Sequence, residues 1–554
     1  MAAQRGDGAR LDDRERSDWT IRDEDAREYV RGAVDATVGL VESTYGPGGM
    51  EKLVATADRQ NRDALRRIDD AGRLFDAIEG GNGFGHPVAA LFVDGVEGMR
   101  SRVHDGTTAA VLLTGALMEE GFDLVEQGLA PSSVLVGYGI ARARAGDILD
   151  ELARPVDATD ETTLANVATT TMTTALDPAV REDLSARVAS TVGRLADAGD
   201  SDWPNTDHAK VLTAPGVDTT TYGGLVLSQP ADAGPNGAGV TASLTDATVA
   251  ILDREIDFEE TASVLDGGEG IQLTSPEAAE RYRTELDARR RGAAERLVER
   301  GVDVLVSLEK LDEAVVDAFE RAGLAVVDKA TYPKEDVYRL AAATGGTVVS
   351  KLDDLTEDRL GRAGRVERRE VGDEVWTVFD GCPGPVFTIV TGGGTVEEAN
   401  RREGAIADAL ETAATAAIDG QVVPGAGAPA AAVAAGIRAG ETTVTGREQL
   451  AVGAFADAVE RLPAVLARNA GHDPLGAVTD LRTAHAADGR SSVGLDAATG
   501  DTVDAWAAGI VEPRRVFSQA TETAGAVVEQ LLTIDSVLYP NVELYGYTPR
   551  PERE

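Results

Sequence analysis

Residues 44–50 read Thr44-Tyr45-Gly46-Pro47-Gly48-Gly49-Met50. Upstream, Asp23 to Ser43 has helical spacing, with Tyr29, Val30, Ala33, Val34, Val38 and Val41 on one side, so the Gly/Pro stretch marks where that helix stops. A glycine-rich turn also lets main-chain N–H groups approach phosphate oxygens with no side chain between them. Taken alone, the turn admits both readings, helix stop and phosphate cradle.

A second turn, Asp105-Gly106-Thr107-Thr108, opens the helical stretch 107–128, which Gly128 and Pro131 separate from another at 132–152. An acid for a metal ion, a glycine for close approach and hydroxyls at a helix N-terminus suit a phosphate with its cation. The simpler reading is an aspartate at a helix start. Asp69-Asp70 reads as a solvated acidic pair beside a turn. Asp408, in Ala405-Ile406-Ala407-Asp408-Ala409-Leu410, lies off the apolar stripe of Ile406, Leu410, Ala413 and Ala417. By spacing alone it is an exposed helix residue.

The middle of the chain changes character. Val302 to Leu308, Leu324 to Val327 and Thr347 to Val349 are short apolar strand candidates, alternating with helical segments near 311–322 and 333–343. That order predicts a βαβ arrangement with a parallel sheet. Residues 210–252, rich in Thr, Val and Gly, read as strands and turns, and helices return through 398–418, 427–438, 446–470 and 514–533. The expected fold class is multidomain α and α/β, its mixed central part inserted into a helical domain built from both chain ends.

At 554 residues the chain exceeds one ordinary core, and about two to four folding units are expected. Aromatic residues make up only 4% and hydrophobic residues 43%, so the interior is built from Ala, Val, Leu and Ile. Lys plus Arg number 53 against 95 Asp plus Glu, a formal charge of -42. Such a field repels nucleic acid and anionic lipid. The acids are spread over the whole chain, and the lysines reduce to Lys52, Lys210, Lys310, Lys329, Lys334 and Lys351, which points to a surface suited to concentrated salt; an ordinary acidic protein is the plainer alternative.

Cys382 is the sole cysteine, which excludes an internal disulfide and fits a reducing compartment. The first twenty residues lack an apolar core, and no apolar run approaches the length of about eighteen that a membrane span needs. A cytoplasmic protein with no membrane partner is expected. No lysine follows a glycine, so a G-x-x-x-x-G-K loop is absent, as is G-x-G-x-x-G. The five histidines are scattered without ligand spacing.

In their order, these pieces resemble the group II chaperonins, the thermosome and its eukaryotic cytosolic relatives, from about residue 20 to 540. The family's T-x-G-P-x-G-M turn matches Thr44 to Met50; its D-G loop matches Ile68-Asp69-Asp70-Ala71-Gly72; its H-P-A-A segment matches His86-Pro87-Val88-Ala89; and its G-D-G-T-T loop matches His104 to Thr108. In the second half, Asp408 to Leu410 matches a D-A-L helix and Val422-Val423-Pro424-Gly425-Ala426-Gly427-Ala428 a glycine turn. Gly446 to Ala451, Asn469-Ala470-Gly471-His472-Asp473-Pro474 and Gly509-Ile510-Val511-Glu512-Pro513 follow in order.

The resemblance implies a chaperonin fold with three tiers: equatorial at 18–152 and 404–547, intermediate at 153–211 and 372–403, apical at 212–371, with flexible termini at 1–17 and 548–554. It implies an ATP-dependent subunit that encloses unfolded clients in a double ring of identical or paralogous subunits. A helical lid near 258–282 removes the need for a separate cap protein. Thr44, Gly46, Pro47, Gly106, Thr107, Thr108 and Gly425 would cradle ATP, Glu512 would contact the ribose and Asp105 would hold Mg²⁺. Asp70 and Asp408 would orient and activate the attacking water.

Five positions depart from the family pattern. Gly48 replaces a lysine, Ala71 and His104 replace glycines, Ala426 interrupts a glycine triplet and Ala175 stands where a lysine is expected. They imply an ATPase that is active but slow. The alternative is a hydrolysis-poor structural or client-binding subunit of a mixed ring.

Overall fold

The computed structural model describes residues 20–56, 64–79, 86–172, 176–198, 204–230, 243–256, 258, 276–328, 335–440, 444–486 and 491–538. Ala175 and most of the expected lid segment near 258–282, namely 259–275, lie outside these described residues. The chain forms two compact units, one of residues up to Pro155 together with those from Gln421 onward, the other running from Val156 to Gly420.

The first unit is helical. The helix Thr107–Glu126 buries residues around most of its circumference, including Leu113, Leu117, Met118 and Phe122, so it is a central rather than an amphipathic surface helix. Around its core pack Phe92 and Met99 from Pro87–Val103, Ala141 and Leu149 from Pro131–Leu152, Phe455 from Glu448–Val459 and Val528 from Arg514–Leu531. Small residues permit the closest approaches. A Cβ on Gly115 would fall 2.6 Å from Val38 Cγ2, and one on Gly137 would fall 2.5 Å from Ala451 Cβ.

The helix expected over 446–470 is divided, Glu448–Val459 being followed by Arg461–Asn469. Pro463 has no N–H to give the carbonyl of Val459, which breaks the ladder there. At the break sits Glu460, only 6% exposed, held by the guanidinium groups of both Arg438 and Arg482.

The second unit holds a seven-stranded mixed sheet. Leu244–Leu252, Val304–Ser307 and Ala325–Val327 pair in parallel, as the βαβ reading expects, and Val348–Val349 pairs in parallel with Leu244–Leu252; Glu313–Arg321 connects Val304–Ser307 to Ala325–Val327, and Glu335–Thr344 connects Ala325–Val327 to Val348–Val349. Gly361–Val371, Glu374–Asp380 and Leu225–Pro230 extend it antiparallel. A smaller sheet joins Ala209–Thr213, Phe387–Thr391 and Thr220–Tyr222, and Lys210 from its edge forms a buried ion pair with Asp336. The helix Val396–Asp419 starts at Thr395, whose hydroxyl accepts from Glu398 N, and ends at Gly420 with φ 67°. No helix among the described residues is long and apolar enough to cross a membrane.

Candidate functional site

The glycine turn follows the helix Asp23–Val41 through a single tight turn, Glu42–Thr44. Thr44 is buried, and its hydroxyl donates back to Val41 O at 2.8 Å. Gly46 takes φ 80°, and any Cβ there would lie 2.3 Å from Leu466 Cδ1. Gly49 N donates to Gly46 O at 2.8 Å, closing the turn. Asn469, at the end of Arg461–Asn469, donates its side-chain amide to Glu42 O and Tyr45 O, both at 2.9 Å. That close packing accounts for Gly48, since a Cβ there would fall 2.6 Å from Asn469 O. A lysine could not stand at this position without displacing main chain.

The Asp105 loop joins two helices. Pro87–Val103 ends at His104, whose N–H bonds Arg100 O in a left-handed conformation with φ 56°. Asp105 Oδ1 accepts from Gly106 N at 2.6 Å, and Gly106, at φ 77°, begins Thr107–Glu126. A Cβ on Gly106 would meet Val516 Cγ1 at 2.7 Å and Met99 Cε at 2.9 Å. Thr107 and Thr108 are buried. Thr108 Oγ1 accepts from Ala71 N at 3.1 Å, which fastens the Asp69-Asp70 turn to the same helix start. Asp70 caps the helix Ala71–Glu79, its Oδ1 accepting from Arg73 N at 2.9 Å. Because Ala71 simply begins that helix, alanine costs nothing there in place of glycine.

From the far end of the chain, Gln421–Pro424 pairs antiparallel with Val511–Pro513, placing Val423 opposite Glu512. Gly425 N then donates to Ile510 O at 2.8 Å. Ala426 has φ 59° and Gly427 φ 75°, so the turn demands two successive left-handed residues and tolerates an alanine at one of them with strain. Leu466 ties the two glycine turns together: its methyl Cδ1 closes off Gly46, and Cδ2 lies 3.7 Å from where a Cβ on Gly427 would stand.

These loops bring acidic groups into one weakly solvated place. Burial, followed by the negative charge of Asp105, pushes Glu512 up to about 8. Burial raises Asp105 as well, with the charge of Asp70 adding to it and the Gly106 N–H opposing it. Asp70 is raised by burial against the pull of Arg73. Tyr45 is driven upward by burial and then by Glu512 and Asp105. Thr44, Gly46, Pro47, Asp70, Asp105, Gly106, Thr107, Thr108, Gly425 and Glu512 thus all belong to the first unit. Asp408 belongs to the second, half-buried on Val396–Asp419 rather than exposed as its spacing implies, with Thr412 Oγ1 donating to its carbonyl at 2.8 Å.

Chemically, the arrangement offers main-chain N–H groups at a helix start and at two glycine turns, which suits a polyphosphate. The adjoining carboxylates would repel such an anion unless a divalent cation lay between them, and hard oxygen donors of this kind fit Mg²⁺. Among the described residues no three His, Cys, Asp or Glu side chains form a metal site by themselves, so phosphate oxygens and water would complete the coordination. Tyr45, Leu466 and Asn469 were not singled out by sequence reasoning. Tyr45 and Asn469 stand inside quoted motifs and Leu466 in the helical stretch 446–470, but their roles depend on contacts across more than 400 residues.

The TCP-1/cpn60 chaperonin family model matches residues 38–541. The chain is 33% identical over 519 residues to the thermosome subunit of Methanopyrus kandleri, covering 93% of this chain and 92% of that protein. It is 32% identical over 516 residues to thermosome subunit alpha of Halobacterium salinarum, covering 93% and 88%. Thermosome subunit 1 of Haloferax volcanii is likewise 32% identical, over 93% and 89% of the two chains.

Proposed function

This chain belongs to the TCP-1/cpn60 chaperonin family as a group II chaperonin subunit that assists protein folding, and from that premise we propose that it binds and hydrolyses ATP with Mg²⁺ at the site of its first unit. The observation that carries this reading is the meeting of the Thr107–Glu126 helix start, both glycine turns and the Asp105 and Glu512 carboxyls around Leu466 and Tyr45.

In this reading the turns at Thr44, Gly46 and Pro47, at Gly106, Thr107 and Thr108 and at Gly425 would cradle the phosphates. Asp105 would hold Mg²⁺, which when bound offsets phosphate charge. Glu512 would take the sugar hydroxyls. Asp70, fixed by the Arg73 N–H, would orient the attacking water, and Asp408 carries the second water-activating role that the family resemblance implies.

The first unit corresponds in this reading to the equatorial tier, 18–152 and 404–547. Residues 153–211 and 372–403 form the intermediate tier and 212–371 the apical tier with its lid near 258–282. Identical or paralogous copies assemble into a double ring that encloses unfolded clients without a separate cap, in a salt-rich cytoplasm suited to the charge of -42.

Phosphate release by the purified assembly in concentrated KCl with Mg²⁺ tests the reading. Asp408→Ala is expected to bind ATP as the wild type does and to lose most turnover. Equal release by the two proteins would instead favour a subunit that binds without hydrolysing.

A further inference from the structure

Arg73 is the third residue of the helix Ala71–Glu79, which Asp70 caps. Its main-chain N–H donates to Asp70 Oδ1 at 2.9 Å, and its side chain returns to the same carboxyl, Nε standing 3.5 Å from Oδ2. One residue thus engages both oxygens of the aspartate, with main chain on one and guanidinium on the other. The guanidinium also reaches Asp69, Nη1 lying 3.5 Å from Oδ1. A glutamate or glutamine commonly takes this third position and reaches back to a main-chain N–H; the arginine reaches the capping carboxylate instead. The carboxyl so held stands beside the start of Thr107–Glu126: a Cβ on Gly72 would lie 3.2 Å from Asp70 Oδ1 and 3.7 Å from Thr107 Oγ1, and Ala71 N donates to Thr108 Oγ1. Asp69, Asp70 and Arg73 are all half-buried, where charges are screened less than on an open surface.

We infer that the Arg73 side chain is a positioning residue for hydrolysis, holding the second oxygen of the Asp70 carboxylate in line for the attacking water and offsetting the neighbouring charge of Asp69. This rests on the role given to Asp70 above. A carboxylate held at one oxygen alone can pivot about that bond. A contact at the other oxygen removes the freedom, and the alignment it keeps matters in the reacting state rather than in nucleotide binding.

The test measures ATP affinity and single-turnover phosphate release of the full-length assembly with Mg²⁺ in concentrated KCl. Arg73→Met keeps the length of the side chain and the main-chain N–H that caps the helix, so the local fold persists. It is expected to slow phosphate release about tenfold or more and to leave ATP affinity within about twofold of the wild type. Arg73→Lys, which returns the charge, is expected to recover most of the lost rate. An Arg73→Met protein with the wild-type rate overturns the inference while leaving the hydrolytic reading intact. So does one that loses rate and affinity by the same factor, since Arg73 would then hold the nucleotide and not Asp70, and so does an Arg73→Lys protein as slow as Arg73→Met. A wild type that binds ATP without releasing phosphate overturns the hydrolytic reading itself, and the inference with it.

Discussion

The side-chain amide of Asn469 donates to the main-chain carbonyl of Tyr45 at 2.9 Å. With its second bond to Glu42 O, also 2.9 Å, it makes one asparagine the clasp between the first glycine turn and the helix Arg461–Asn469.

Removing that clasp should loosen the turn without unfolding the unit. Asn469→Ala leaves two partly buried carbonyls without their donor, a cost of about 1–3 kcal/mol. ATP affinity is expected to fall about tenfold or more. Asn469→Asp, equal in size but lacking the amide donor, should behave like the alanine variant in a binding titration; wild-type affinity in the aspartate variant would contradict the clasp.

Two departures from the family's glycines sit where the backbone is left-handed, His104 at φ 56° and Ala426 at φ 59°. A side chain there costs about 1–2 kcal/mol in conformational strain, part of which glycine gives back as chain entropy. Ala426→Gly should therefore stabilise the protein by up to about 1 kcal/mol in denaturant unfolding. In the opposite direction, Gly106→Ala should destabilise it, because its Cβ would lie 2.7 Å from Val516 Cγ1.

Glu512 gives a pH dependence of definite sign. Its carboxyl is raised by burial and by Asp105 from the ordinary 4.5 to about 8, so the folded state holds this proton more tightly than the unfolded state does. Its contribution to stability is fully present below about pH 4.5 and is lost as pH rises to about 8. Glu512→Gln removes that loss. The stability difference between variant and wild type should grow in favour of glutamine across this window; a constant difference would show that Glu512 is not raised.

Glu460 holds two arginines at the break between helices. Glu460→Leu removes the buried carboxylate that both guanidinium groups share, leaving them Asp457 as an acidic partner, and should cost about 1–3 kcal/mol. Salt screens exposed pairs far more than buried ones. The loss should accordingly persist in concentrated KCl when unfolding is followed by calorimetry.

Sequence patterning reached the helices and both glycine turns because 3.6-residue periodicity and Gly/Pro punctuation are local. The parallel strands around Val304–Ser307 were legible for the same reason, being short apolar runs between helices. The division at Glu460 was signalled only by Pro463, inside an otherwise continuous Ala-rich pattern. Asp408 was misjudged by spacing because half-burial comes from what packs against a helix, not from its own stripe. Tyr45 stayed hidden for a related reason. In the sequence it is one residue in a turn, and its surroundings, Leu466, Leu495 and Glu512, arrive from the other end of the chain.

Cryo-electron microscopy of the assembly with Mg²⁺ and a non-hydrolysable ATP analogue tests the central claim most directly. The account predicts nucleotide density in the first unit, with phosphates at the Gly46 turn and the Thr107 helix start, the metal at Asp105 and the sugar at Glu512. Density at another place in the subunit, or none at saturating analogue, would contradict it.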